Sequence, residues 1–101
     1  MATVLKGCES TNITAEIIVY TTPALTTATI IGMTIANTST GTITVSVKKN
    51  LAYIIKDVPI LVGSSLVVVG GEQKTVVEAE GTIKVSATGT ADVIMSMLEQ
   101  S

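Results

Sequence analysis

Apolar and polar residues alternate along most of the chain. In residues 42–48, Ile43, Val45 and Val47 occupy every second position, and hydroxyl-bearing or charged residues occupy the rest. A period of two is typical of a β-strand with one buried and one solvated face. The same pattern recurs in residues 29–35, 51–56, 82–86 and 93–97. The sequence therefore predicts several strands that each present one apolar face to a core.

Turn-forming residues interrupt the alternation at short intervals. They fall at residues 22–23, 37–41, 57–59, 63–65, 80–81 and 89. Many short strands with almost no helical periodicity predict an antiparallel sandwich or barrel. Residues 92–100 are the only helix candidate, and their β-branched start and continued alternation favour a strand. We predict one domain over residues 12–101, preceded by an N-terminal arm or edge strand at residues 1–11.

Two runs are apolar on both strand faces, which a half-buried strand does not explain. Such strands are either central in a sheet or covered by a neighbouring subunit. The candidate subunit-interface residues are therefore Ile17, Ile18, Val19, Tyr20, Leu66, Val67, Val68 and Val69.

The composition agrees with a β-protein that carries little charge. Thr, Val and Ile make up 42 of 101 residues, whereas only 14% are charged, against roughly 25% in an ordinary soluble domain. Either hydroxyl groups solvate the surface or part of the surface is buried against other subunits. We expect both.

The residues that are absent exclude several chemistries. The chain has no His, which removes Ser-His-Asp and Cys-His nucleophile systems and imidazole metal sites. It has no Arg and a net charge of −2, which argues against a nucleic-acid partner. We predict that the protein is not an enzyme and has no cofactor and no metal site. Cys8 is the only cysteine, so no disulfide forms within the chain. No stretch is long and apolar enough for a signal peptide or a membrane span.

Several strand and turn segments resemble small structural proteins of tailed bacteriophage virions. The segments are Val19–Ala24, Ala28–Ile31, Ile35–Thr38, Thr42–Val47, Tyr53–Ile60, Gly63–Leu66, residues 76–85 and Ala91–Ser96. The resemblance covers nearly the whole chain from about residue 16. It departs from the family pattern where Leu61 replaces a second proline and where Glu80-Gly81 inverts the usual Gly-Asp order. The resemblance implies an all-β fold: an antiparallel, jelly-roll-like β-sandwich of about eight short strands.

The resemblance also implies a role. We expect a capsid cement (decoration) protein that binds the outer capsid surface, with itself and the major capsid protein as partners and a trimer as the first guess. The expected location is the virion, after synthesis in the host cytoplasm. The predicted capsid-contacting arm consists of Ala2, Thr3, Val4, Leu5 and Lys6. The alternatives are a neck or tail component and a host- or carbohydrate-binding module.

Overall fold

The computed structural model describes residues 3–69 and 74–100. Within these ranges the chain forms nine β-strands and no helix. The strands are β1 (Thr3–Ile13), β2 (Ile17–Thr21), β3 (Thr27–Asn37), β4 (Ile43–Lys49), β5 (Ala52–Ile60), β6 (Ser65–Val69), β7 (Thr75–Val77), β8 (Thr82–Ala87) and β9 (Ala91–Gln100). The strand predicted at residues 92–100 is confirmed as β9.

The strands form two antiparallel sheets that pack against each other. Sheet A has the order β1-β9-β3-β6, with β7 also paired to β3, and sheet B has the order β2-β8-β4-β5. β6 pairs with residues 33–36 of β3 and β7 pairs with residues 28–30. These two strands therefore share one position along the edge of sheet A. With that position counted once, two sheets of four strands have the architecture of a jelly roll. The predicted all-β, antiparallel sandwich is confirmed.

The core lies between the sheets and is made by the alternation read from the sequence. In β4, Ile43, Val45 and Val47 are buried, and β9 buries Val93, Met95 and Met97 in the same way. Removing this apolar surface from water stabilises the sandwich, at about 25 cal/mol per Å². The predicted inward faces of these two strands are therefore confirmed.

The loops gather at the two ends of the sandwich. At one end the Thr22 amide donates to the Gly81 carbonyl over 2.9 Å, and the Asn50 amide donates to the Thr82 carbonyl over 2.9 Å. At the opposite end, the side-chain nitrogen of buried Asn37 donates to the carbonyls of Gly41 (2.8 Å) and Ile60 (2.9 Å). These contacts hold loops that are distant in sequence in one arrangement.

The two strands for which the sequence left open a central position or cover by a neighbouring subunit lie at sheet edges. β2 is an edge strand of sheet B, and β6 is at an edge of sheet A. Their second apolar faces are therefore not explained by a central position. No helix in the described part of the chain is suited to crossing a membrane.

Candidate self-association surfaces

The outer face of sheet A carries exposed apolar side chains among hydroxyl-bearing ones and Glu9. The strand register aligns Leu5, Leu98, Thr29 and Val76 in one row across the sheet. A second row aligns Glu9, Ile94, Thr34 and Val67. We call the residues Leu5, Thr29, Thr34, Val67, Val76, Ile94 and Leu98 the apolar face. Leu5 is 69% exposed, and Ile94 and Val67 are each 63% exposed. Contiguous exposed apolar surface on a soluble protein marks an interaction site.

A shallow depression separates the two rows. It contains a third row, in which Gly7 pairs with Ser96 and Ser96 pairs with Gly32. The depression has a volume of about 380 Å³ and is lined by Gly7, Cys8, Glu9, Ile94, Met95 and Ser96. We call it the face depression. Because its central row carries no bulky side chain, the apolar face is ridged rather than flat.

The outer face of sheet B has the opposite character. The register aligns Ile18, Lys84, Lys48 and Tyr53 across this sheet. The Lys48 ammonium lies 3.5 Å from a Glu16 carboxylate oxygen and 4.9 Å from the centre of the Tyr53 ring. Lys56 approaches the same ring to 5.3 Å. We call this the lysine face. The charge of the molecule is therefore distributed unequally between its two broad surfaces.

A polar cluster joins the two sheets beside β1. The Tyr20 hydroxyl donates a hydrogen bond to the Glu99 carboxylate, and Lys6 lies 3.6 Å from the same carboxylate. Burial and the Glu99 contact raise the pKa of Tyr20 above its ordinary value. Burial likewise raises the pKa of the neighbouring Cys8 thiol, whose sulfur lies 3.9 Å from the Val19 carbonyl oxygen. A thiol with a raised pKa is a poor nucleophile at neutral pH.

The predicted interface residues do not form one surface in the monomer. Tyr20, Val68 and Val69 belong to the buried core, and Val19 and Leu66 pack against it. The exposed members are Ile17, Ile18 and Val67. Of these, Ile18 lies on the lysine face, whereas Val67 lies on the apolar face.

The predicted arm is placed as a strand over most of its length. Thr3, Val4, Leu5 and Lys6 are the first residues of β1 and pair with residues 97–100 of β9. Ala2 lies outside the described residues. Leu5 belongs to the apolar face, and Lys6 forms the ion pair with Glu99. A contact between this segment and a neighbouring molecule stays a prediction.

Comparison with known proteins gives a structural similarity and no match in sequence. No protein-family model matches the sequence, and no curated protein matches it. The fold is similar to a solved structure of Bacillus endospore appendages, described as forming a novel family of disulfide-linked pili. The TM-score is 0.53 and the identity is 14%, over 97% of this chain and 84% of the other. At this identity the similarity shows a shared fold and nothing beyond it.

The predicted bacteriophage role is wrong. The similar structure is a bacterial endospore pilus and not a phage capsid or cement protein. It gives no support to a capsid partner, to a trimer, or to either alternative role. The segments behind the resemblance explain the error. Residues 57–60 end β5, and residues 63–66 lead into β6, so these residues specify strands and turns of the fold. A shared fold does not determine function.

Proposed function

We propose that this protein is a structural subunit that associates with copies of itself, with the apolar face as a contact surface. The observation that carries the proposal is the difference between the two outer sheet faces. Lys48 and Lys84 lie in the central row of the lysine face, whereas the central row of sheet A consists of Gly7, Ser96 and Gly32. Association that covers the apolar face would remove Leu5, Ile94 and Val67 from water, and Glu9, which pairs with Ile94, is the charged group that it would desolvate.

The apolar face is large enough for a specific interface. Sheet A has four strand positions. At about 4.8 Å between strands and about 3.3 Å per residue over roughly ten residues, its flat area is about 600 Å². A specific interface buries at least about 1,000 Å² in total, which is about 500 Å² per partner. The outer face of sheet A on each partner therefore offers enough area for a specific interface.

The similar endospore structure supports a second copy as the partner, because that protein is described as forming pili. The proposed contact is noncovalent in this chain. Cys8 is its only cysteine, and one cysteine per chain can join chains only in pairs. The raised pKa of the Cys8 thiol also disfavours disulfide exchange at neutral pH.

The proposal is tested by measuring mass against concentration by sedimentation velocity and by imaging negatively stained samples. We expect wild type to form species well above the 10.4 kDa of one chain. Ile94→Lys places a charge at the centre of the apolar face and should weaken association at least tenfold, because burying one large aliphatic side chain contributes about 1.5–3 kcal/mol.

Ile18→Lys is the matched control, since Ile18 is 55% exposed on the lysine face. It should associate as wild type does. The proposal fails if wild type remains monomeric up to about 1 mM, the dissociation constant of a contact contributing only about 4 kcal/mol. It also fails if the two lysine variants weaken association equally.

A further inference from the structure

Leu25 occupies an unfavourable position in the loop between β2 and β3. Its φ is 59°, in the left-handed region where residues other than Gly, Asn and Asp incur a steric cost. Its side chain is 91% exposed, more than any other large apolar side chain in the described residues. This residue therefore combines backbone strain with an apolar side chain held in water.

The other non-glycine residues with positive φ in residues 3–69 and 74–100 are polar. They are Asn12, Asn50, Asp57 and Glu80. Each of the four makes a hydrogen bond: Asn50 accepts from the Thr82 amide, and the amides of Asn12, Asp57 and Glu80 donate to Asp92, Ser46 and Thr22. Within the described residues Leu25 has no such contact, and a glycine would adopt its backbone conformation without strain. An outlier of this kind motivates a functional hypothesis.

We propose that Leu25 of one molecule inserts into the face depression of a second copy. This inference rests on the proposed self-association and names the two surfaces that meet. The loop that contains Leu25 leads into β3 at the end of sheet A where Thr3 pairs with Gln100. The Gly7–Ser96 row lies four residues from that end, which is about 13 Å along the strands. With its side chain 91% exposed, Leu25 does not enter the depression of its own chain.

The face depression has room that folding of one chain does not use. A Cβ atom added at Gly7, which lines the depression, would lie 3.6 Å from its nearest neighbour, the Met95 carbonyl oxygen. Glycine inside a strand weakens it and often marks a place where another chain approaches closely. Ile94 supplies an apolar wall for an incoming leucine.

The proposed contact has a consequence for the assembly. We take the contact to be made once per pair of molecules, which makes it heterologous and leaves one free Leu25 and one free depression in each pair. Heterologous contacts that do not close into a ring continue into open filaments. The contact therefore predicts growth beyond a dimer.

The first test compares Leu25→Gly with Glu80→Gly. Both changes relieve a positive-φ position in an exposed loop, and only the first removes an apolar side chain. We expect the Tm of the monomer to rise by a few degrees in both variants. Association should weaken at least tenfold in Leu25→Gly and stay within about twofold of wild type in Glu80→Gly. Equal association of the two variants would overturn the inference.

The second test is cross-linking in a Cys8→Ser background with cysteines at positions 25 and 96. A disulfide requires Cα atoms within about 7 Å. Mild oxidation with copper phenanthroline should give a ladder of covalent multimers from the double variant Leu25→Cys/Ser96→Cys. A mixture of the two single variants should give a mixed dimer and nothing larger.

The result separates this inference from the proposed function. Sedimentation of wild type reports whether the chains associate at all, because the double variant lacks the Leu25 side chain. The oxidation is run at a concentration at which the reduced double variant associates, and association without the ladder would refute the Leu25 contact and leave the apolar face as a contact surface. If wild type does not associate, both proposals fail together.

Discussion

At the scale of single residues, Tyr20 introduces a polar contact into a largely apolar core. It lies on β2 of sheet B, and its hydroxyl donates to Glu99 on β9 of sheet A. Glu99 also faces Lys6 on β1. Three strands are therefore joined through one carboxylate, which is where the N-terminal strand meets the rest of the molecule.

Because of this contact, the free energy of unfolding should decrease at alkaline pH. Because the folded state raises the pKa of Tyr20, it holds the phenolic proton more tightly than the unfolded chain does. The stabilisation is complete below the ordinary tyrosine pKa of about 10 and is lost as the pH rises beyond it. Tyr20→Phe should lower the free energy of unfolding by about 1–2 kcal/mol at pH 7, and this difference should narrow above pH of about 10.

Urea unfolding of both proteins between pH of about 7 and 11 measures the difference. Tyr53→Phe provides the control, because Tyr53 is 49% exposed on the lysine face. It should change stability little at pH 7. A constant difference between wild type and Tyr20→Phe over the whole range would show that the Tyr20 proton does not contribute.

Residue-scale features differ in how far the sequence predicts them. The inward positions of β4 and β9 follow from local alternation, because successive side chains of a strand point to opposite faces. The Tyr20–Glu99 pair spans 79 residues, and no local pattern connects its members. The contacts of Asn37 with Gly41 and Ile60 similarly depend on which loops meet at one end. Such contacts become visible only once the topology is known.

At the scale of elements, the turn between β7 and β8 requires the absence of a side chain. A Cβ atom at Gly81 would lie 2.8 Å from Val77 Cγ1 and 3.0 Å from the Glu78 carbonyl oxygen. Gly81→Ala should therefore destabilise the fold by about 1–3 kcal/mol, as overpacking does. Gly41→Ala is the control, because nothing lies within 4 Å of its added Cβ. Thermal unfolding of both variants checks this, and equal Tm values would contradict it.

The alternation of apolar and polar residues does not predict which strands lie at the edge of a sheet. The runs at residues 17–20 and 66–69 are apolar on both faces, which is compatible with a central strand or with cover by another subunit, and β2 and β6 are edge strands. One face of each strand packs on the core, and the other leaves Ile18 and Val67 in water. An apolar residue gives the same sequence signal whether its own core, another molecule or solvent covers it. The position of a strand in its sheet is set by long-range pairing.

At the scale of the whole molecule, sparse charge predicted burial against other subunits without saying where. In the structure, the central row of sheet B carries lysines, whereas the central row of sheet A carries small residues. The apolar face itself was not predicted, because Leu5, Ile94 and Val76 come from three strands that are distant in sequence. Their alignment follows from the register between β1, β9, β3 and β7, which no single segment encodes.

The distribution of charge predicts how self-association responds to solution conditions. Contact through the apolar face is driven by burial of apolar surface, which weakens on cooling. Raising NaCl from about 0.05 to about 0.5 M shortens the screening length severalfold, yet it should leave the association constant within about twofold or strengthen it. Warming from about 5 to about 25 °C should strengthen association. Contact between the lysine face of one molecule and acidic residues of another would instead weaken, because salt screens their attraction to Lys48 and Lys84. Sedimentation at each condition distinguishes the two faces, and Lys84→Gln should follow wild type throughout if the apolar face forms the contact.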